Sequence, residues 1–164
     1  MENTIKGIMA DCEVHGICDG YLSRWKECRS RKEMFDLGCT TEGQMFLSKC
    51  SSEGWGFSRD SIVSEFAPFI NGRYVSRHEG DNGRSYLSKI YCGYKGGVKA
   101  DTTLCGFIGC DCSVVVPRNM VCRIYADASS VLHVFCQDSS VVQIESYTDN
   151  ITVEGKGRSR IVRL

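Results

Sequence analysis

The residues of this chain that most resemble a chemical site form a cysteine and histidine run near the amino end. Cys12, His15 and Cys18 follow a C-x2-H-x2-C spacing, and Cys110 and Cys112 form a C-x-C pair. A structural zinc site needs four tetrahedral ligands, usually supplied as two close pairs, and no second C-x2-C or H-x3-H occurs. We interpret the C-x-C pair as packing residues, because alternate residues of a strand face the same side. The sequence leaves open whether the first three residues bind a metal.

The cysteine content of the chain is high but does not indicate disulfide bonds. There are 11 cysteines among 164 residues, and the amino end lacks the basic start, apolar run and small-residue cleavage site of an export signal. We therefore expect reduced thiols that behave as small buried hydrophobes. No stretch approaches the roughly eighteen apolar residues that a membrane span needs. These features predict a cytoplasmic protein that has no membrane partner.

Charge and motif content argue against several classes of function. Twenty basic and twenty acidic side chains give a formal net charge of +0, so the field of the whole molecule does not steer it towards nucleic acid. The motifs GxxxxGK[ST], GxSxG and HExxH do not occur. His15, His78 and His133 lie in separate segments without a nearby nucleophile pattern. We predict a non-enzymatic protein with no catalytic residue and no cofactor, which would bind nucleic acid only through a local patch.

One candidate binding surface is a basic cluster around Trp25. It contains Arg24, Lys26, Arg29, Arg31 and Lys32. Cations around an aromatic ring can form a platform for nucleic acid or for an acidic protein surface. The alternative is a solvated helix face with Trp25 in the core, which the apolar residues three positions before and after it favour. If the cluster binds a partner, we expect Arg24, Arg29 and Lys32 to make the contacts.

Helical patterns fill the amino-terminal part of the chain. Capping boxes that begin at Ser30 and Thr41 predict two short helices. A further helix is predicted to start at Ser58 and to end at Pro68, because proline interrupts the helical hydrogen-bond ladder.

Turn signals then mark a change to strands. Asn71-Gly72 lies between short apolar pairs and predicts a type I′ hairpin turn, in which both central residues have positive φ. A second turn is predicted at GDNG, residues 80–83, which leads into a strand with the sequence SYLSKIYCGY.

Beyond Lys99 the sequence repeats with a period near ten residues. The units MVCRIYADAS, SVLHVFCQDS and SVVQIESYTD align, and alternate positions are expected to face inward. The inward set is Cys122, Ile124, Leu132, Val134, Val142 and Ile144. The acidic and amide side chains that end the units predict turns; they are Asp127, Asp138, Asp149 and Asn150.

The outward positions of these units supply a second candidate binding surface. Aromatic and arginine side chains dominate the hot spots of protein interfaces. We predict an exposed ladder made of Arg123, Tyr125, His133 and Phe135.

Strand units of this length cannot bury a face alone, so we expect them to stack with two or three units in each coil. The predicted fold is α+β. It has a small helical subdomain at residues 1–72, a β-hairpin or meander connector at 73–100, and a short-period β-solenoid or β-roll at 101–164. An antiparallel sandwich or meander is the alternative. Flat apolar strand faces also predict a homo-oligomer.

Three stretches of the chain resemble a known group of proteins. They are FAPFINGRYVSR, YLSKIYCGYKGGVKADTTLC and CDCSVVVPRNMVCRIYADASSV. Over residues 21 to 145 the chain is similar to small, largely uncharacterised proteins of phages and mobile elements of gut Bacteroidales. The group supplies no catalytic motif, so the resemblance implies no site residue.

The resemblance implies a phage setting, in which a small neutral protein has two natural functions. The first, which we favour, is a binding protein that antagonises a bacterial defence system in the host cytoplasm. It would be of the anti-CRISPR type or a sponge for an immune nucleotide signal, so its partner would be a host defence protein or a nucleotide signal. The alternative is a structural or adhesive β-solenoid module of a virion or an oligomer.

Overall fold

The computed structural model describes residues 2–80 and 83–164 and has a layer of helices packed on a two-sheet β-solenoid. The helices are α1 (Glu2–Val14), α2 (Asp19–Lys26), α3 (Arg31–Gly38), α4 (Thr41–Glu53), α5 (Arg59–Ser61) and α6 (Ala67–Ile70), with a π-helical turn at Ile62–Phe66. The strands are β1 (Arg73–Glu79), β2 (Ser85–Cys92), β3 (Lys95–Lys99), β4 (Leu104–Ile108), β5 (Asp111–Val116), β6 (Val121–Ala126), β7 (Val131–Cys136), β8 (Val141–Ser146), β9 (Ile151–Gly155) and β10 (Arg160–Arg163). The predicted α+β fold is confirmed.

Side-chain caps start the amino-terminal helices. The Oγ of Ser30 accepts a hydrogen bond from the backbone N–H of Glu33 at 3.2 Å, which confirms the predicted start of α3. The start of α4 lies one residue earlier than predicted, because Thr40 rather than Thr41 caps it, accepting from Gly43 N–H at 3.0 Å. Caps of this kind satisfy backbone donors that the first turn leaves without partners.

The helix that follows Ser58 does not end at Pro68, so that prediction was wrong. The chain passes through the π-helical turn, and Pro68 lies in the first turn of α6. Proline is tolerated in a first turn, where its missing N–H costs nothing. The wider turn instead bonds Ala67 N–H to the carbonyl of Ile62, five residues back.

Asn71 and Gly72 end a helix instead of joining two strands, so the hairpin predicted there was also wrong. Both residues have the positive φ that the pattern requires, 51° and 72°. The N–H of Gly72 donates to the carbonyl of Ala67 at 2.9 Å, which closes the last turn of α6. Two consecutive residues with positive φ fit the carboxyl end of a helix as well as a hairpin turn, and in this structure they end α6.

The hairpin lies at the second predicted turn. Strands β1 and β2 pair antiparallel from Arg73 opposite Tyr91 to Glu79 opposite Ser85. The N–H of Gly80 donates to the carbonyl of Arg84 at 2.9 Å beside the loop. Asp81 and Asn82, the middle of the predicted GDNG turn, lie outside the described residues.

Two sheets form the solenoid, and all their strand pairs are parallel except the antiparallel pair of β1 and β2. Sheet A has the order β1-β2-β4-β6-β8-β10 and sheet B the order β3-β5-β7-β9. Each coil contributes one strand to each sheet, so two ten-residue units make one coil. Val121 pairs with Val141 in sheet A and Asp111 with Val131 in sheet B, which sets the coil length there at twenty residues. The solenoid has about four turns over residues 88–163. It therefore begins earlier than the predicted boundary at residue 101, because β2 and β3 of the predicted connector form its first coil.

The solenoid interior is filled by alternate residues of both sheets. All six residues predicted to face inward are buried: Cys122, Ile124, Leu132, Val134, Val142 and Ile144. Cys110 and Cys112 are also core residues, 2% and 1% exposed. Side chains at equivalent positions of neighbouring coils therefore stack on one another and form a continuous buried apolar column.

The helical layer packs on the outer face of sheet A through α4. Gly106 of β4 lies directly beneath Gln44, whose Nε2 donates to the carbonyl of Lys89 at 3.0 Å. At the other end of α4, the buried carboxylate of Asp127 accepts a hydrogen bond from Ser51 Oγ at 2.6 Å. Helix α4 therefore follows the direction of the strands and covers β4 and part of β6. None of the helices within the described ranges has the length and apolar character needed to cross a bilayer.

Candidate binding groove

The four residues of the predicted ladder lie on opposite sides of the solenoid. Arg123 and Tyr125 are on β6 of sheet A, whereas His133 and Phe135 are on β7 of sheet B. Successive ten-residue units alternate between the sheets, so outward residues of neighbouring units point away from each other. The prediction of one continuous ladder was wrong for that reason.

Tyr125 is buried rather than exposed. Its ring faces outward from the solenoid core, but α4 covers β6 at this point and only 1% of the residue is accessible. Burial raises the pKa of its hydroxyl. Tyr125 therefore supports its neighbour Arg123, whose Nη1 lies 3.4 Å from the hydroxyl oxygen, and is not itself a contact for a partner.

His133 and Phe135 form no shared site with the other two. His133 is exposed, and its Nδ1 lies 2.6 Å from Thr152 Oγ1 on the next coil. The ring of Phe135 is half-buried beneath Lys156, with Nζ 5.2 Å from the ring centroid. Both contacts join neighbouring coils of sheet B.

A depression of about 460 Å³ lies beside α4 where sheet A is uncovered. Its floor includes Val121 and Val141 in one row and Val162 on the last strand. Val121 is 63% exposed and Val162 is 44% exposed, so the floor presents apolar surface that no described element covers.

Arg123 is the charged residue of this floor. Its Nε donates to Gln143 Oε1 at 2.8 Å, and Nη1 faces the hydroxyl of Tyr125. Within the described ranges Nη2 has no hydrogen-bond partner. The guanidinium is thus held in one orientation and keeps donors for a carboxylate or phosphate, which it can bind in a bidentate way.

A second, polar depression of about 670 Å³ adjoins the first, because Thr41 and Tyr86 line both. Arg24 of α2 and His78 of β1 also line it. His78 packs on the ring of Tyr86, with centroids 5.2 Å apart, and its Nε2 lies 3.0 Å from Ser88 Oγ. Burial lowers the pKa of His78, which favours the neutral ring. We call the two adjoining depressions the groove.

The structure brings only Arg24 of the basic cluster to the groove. Trp25 is 1% exposed, which confirms the core interpretation and leaves no aromatic platform there. Arg24 lies over the Tyr21 ring at 5.7 Å. Lys32 pairs with Asp36 at 2.6 Å, and Arg29 is an exposed loop residue before α3. Arg29 and Lys32 do not line the groove.

The cysteine and histidine run is divided among packing roles. Cys12 is fully buried beside Cys50, His15 stacks on Trp55 with ring centroids 4.5 Å apart, and Cys18 is exposed at the start of α2. Over the described ranges, no group of three or more His, Cys, Asp or Glu side chains is arranged to hold a metal ion. All eleven cysteines are free thiols and nine of them are buried.

Sequence reasoning missed most of the groove. The floor valines occupy outward positions of their strands, and an apolar residue at an outward position in three successive sheet A strands was the signal that could have revealed them. This signal becomes visible only when units twenty residues apart are compared, because units ten residues apart belong to different sheets. Thr41, Tyr86 and His78 come together only through the packing of α4 against the hairpin, which no local pattern encodes.

No protein-family model matches the chain, and no curated protein or solved structure shows significant similarity to it.

Proposed function

We propose that this protein is a non-enzymatic binding protein whose groove takes a segment of its partner. The observation that supports this most strongly is the fixed guanidinium of Arg123 within an exposed apolar floor. A side chain that is already ordered loses little entropy when it binds. Arginine beside apolar surface is also the composition typical of an interface hot spot.

The groove favours a ligand that combines an apolar part with an anionic group. Val121, Val141 and Val162 offer the apolar contact, and Arg123 beside them offers cationic donors. The adjoining polar depression has both signs of charge, from Arg24, Arg77, Glu42 and Glu79. A protein segment with an acidic and an aliphatic side chain meets both requirements. A small nucleotide meets them through phosphate and base, and it is the second ligand class.

We further propose that the partner is a component of a bacterial defence system, which the protein antagonises in the host cytoplasm. This rests on the resemblance of residues 21 to 145 to small proteins of Bacteroidales phages and mobile elements. An anti-CRISPR type of inhibitor would bind a protein, and a sponge for an immune signal would bind a nucleotide. The competing proposal is a self-associating β-solenoid module of a virion.

The experiment is an affinity capture from lysate of a defence-carrying Bacteroidales host with three tagged proteins. They are the wild type, the groove variant Arg123→Glu with Val162→Asp, and the control His133→Glu, which changes an exposed residue of sheet B. Mass spectrometry identifies proteins and the nucleotides released on heating. We expect the wild type and the control to retain a defence protein or a nucleotide that the groove variant loses.

Circular dichroism establishes that the groove variant is folded. Equal capture by the wild type and the folded groove variant would contradict the groove as the binding site. Recovery of the protein alone, as a defined multimer in all three cases, would support the structural module instead.

A further inference from the structure

Sheet B has an open edge at β3. The carbonyl of Tyr94 accepts from Asp111 N–H at 2.9 Å, and Ala100 N–H donates to the carbonyl of Val115 at 2.8 Å. In a parallel sheet, every second residue of a strand forms its backbone hydrogen bonds with the same neighbouring strand. Tyr94 and Ala100 bond to β5, so the backbone N–H and C=O groups of Lys95, Gly97 and Lys99 point away from β5. In the described part of the chain no other strand pairs with that edge.

Sheet A extends one strand further than sheet B at this end. Strand β1 pairs with β2, whereas β3, which belongs to the same coil as β2, has no counterpart of β1 beside it. Neighbouring strands lie about 4.8 Å apart and packed sheets about 10 Å apart. A strand added to β3 would therefore lie at the level of β1 and face it across the interior. The fold has a vacant strand position there.

The face of β1 that points towards the vacant strand position is exposed and partly apolar. Tyr74 and Ser76 hydrogen-bond Asp36 of the helical layer, so the alternating residues Arg73, Val75 and Arg77 face the opposite side, towards the vacant position. Val75 is 45% exposed. It would meet the inward side chains of an added strand.

The backbone of β3 is unobstructed. A Cβ atom built on Gly96 or Gly97 has no heavy atom within 4 Å. Both glycines are exposed. Neither face of β3 is therefore covered at these glycines, and in the described ranges no strand pairs with its outer edge.

The charge around this position is basic. Lys95 and Lys99 flank the open edge on the outer face of sheet B, and Arg73 and Arg77 lie on β1. All four are exposed, and none forms an ion pair with another described residue. The acidic residues nearby are Asp101, which is paired with Lys89, Asp111, which lies opposite Lys95 on β5, and Glu79 on β1, so the four cations remain in excess. An acidic ligand would therefore be attracted.

We propose that the open edge of β3, beneath β1, takes an extended acidic segment of a partner protein as an added strand. The alternating N–H and C=O groups of Lys95, Gly97 and Lys99 match a peptide backbone, which donates and accepts in turn. A nucleic acid backbone offers acceptors and would leave the carbonyls unpaired, so peptide is the favoured occupant. The site shares Arg77 with the polar depression of the groove, but the edge of β3 itself, with Lys95 and Lys99, lies outside the groove lining.

The test uses a labelled peptide that alternates Glu and Val and spans β3. In an added strand its Glu side chains would lie on the outer face beside Lys95 and Lys99, while its Val side chains would face Val75. Fluorescence anisotropy measures its affinity for the full chain. A second peptide has the same side chains but carries N-methyl groups on the alternate amides that would face β3, and an oligothymidylate of similar length serves as the nucleic acid probe.

We expect the unmodified peptide to bind and the N-methylated peptide to show no measurable binding, because methylation removes the donors. The variant Lys95→Glu with Lys99→Glu should weaken binding by about tenfold or more through charge reversal. The matched variant Arg158→Glu with Arg160→Glu makes the same charge change at exposed residues of the last turn and β10, and should leave the affinity unchanged. In the NMR spectrum, the amide signals of Gly97 and Lys99 should shift on addition of the peptide.

Three results would overturn the proposal. Equal binding of the methylated and unmodified peptides would show that charge alone acts. Tighter binding of the oligothymidylate at the same residues would assign the basic position to nucleic acid. No binding of any probe would mean that the lysines only protect the edge from pairing, a common use of lysine on edge strands.

Discussion

The carboxylate of Asp36 joins the helical layer to strand β1 of the hairpin. It accepts hydrogen bonds from Tyr74 Oη at 2.9 Å and Ser76 Oγ at 2.7 Å, and pairs with Lys32 at 2.6 Å. Partial burial opposes ionisation, but these bonds outweigh it and hold the pKa of Asp36 below its usual value. The charged form is therefore the one that stabilises the fold.

This predicts a pH-dependent effect of Asp36→Asn. A lowered folded-state pKa adds stability above the unfolded value of about 3.9 and loses it as the pH falls through the folded value. At pH 7 the variant should lose about 1 kcal/mol of unfolding free energy, since an amide accepts these bonds less well than a carboxylate. The loss should shrink as the pH falls below about 4 and through the lower folded-state pKa, where the wild-type carboxylate becomes protonated too.

Urea unfolding of both proteins between neutral and acidic pH measures this effect. Asp149→Asn, at an exposed position in a turn, is the matched control and should show no such dependence. A loss that stays constant with pH would contradict the role assigned to the charge of Asp36.

At the scale of elements, the helical layer packs tightly on sheet A at Gly106. A Cβ there would lie 2.8 Å from Gln44 Oε1 and 3.0 Å from Gln44 Cδ, while Gln44 itself is 1% exposed. Strand β4 can lie this close to α4 only because Gly106 has no side chain.

We predict that Gly106→Ala destabilises the protein by about 1–3 kcal/mol, because the buried Gln44 must move and its bond to Lys89 is disturbed. Gly97→Ala is the matched strand control, since the added methyl meets nothing within 4 Å. Thermal unfolding monitored by circular dichroism compares the two. Similar melting temperatures for both variants would show that α4 does not rest on Gly106 as described.

Local signals predicted the elements better than their connections. The cap at Ser30 and the inward residues of the repeats follow from short-range geometry, and the structure has them as expected. Asn71 and Gly72 show the limit, because positive φ at two residues fits a helix end as well as a hairpin. Which one forms depends on the packing of the preceding residues, which contact the core of the helical layer.

The candidate site was harder to predict than the fold. Arg24 was identified from the basic cluster around Trp25 and Arg123 from the outward positions of the repeat units, and both line the groove. Tyr125 was expected to be exposed because outward positions of a free solenoid are exposed, and the helical layer changes that. A ten-residue repeat also does not say how many units make a coil, and that number decides which side chains share a face.

At the scale of the whole molecule, the floor of the groove is placed by the twenty-residue coil in the middle of the solenoid, whereas the first coil is shorter, since Ser88 pairs with Leu104. Val121 pairs with Val141 and Asp111 with Val131, so the same unit length holds in both sheets. Solenoid stability is approximately a sum of coil and neighbour terms. A complete extra coil should therefore be accepted without disturbing the coils on either side.

The decisive experiment inserts a second copy of residues 121–140 after Ser140 and compares it with a Gly/Ser insert of equal length at the same place. We predict that the duplicated coil raises the number of exchange-protected amides, leaves the melting temperature unchanged or higher, and lengthens the molecule by about 4.8 Å in solution scattering. The Gly/Ser insert should add only unprotected amides. An unfolded duplicate, or one whose inserted residues exchange as fast as the Gly/Ser linker, would contradict the twenty-residue coil and the placement of the groove that depends on it.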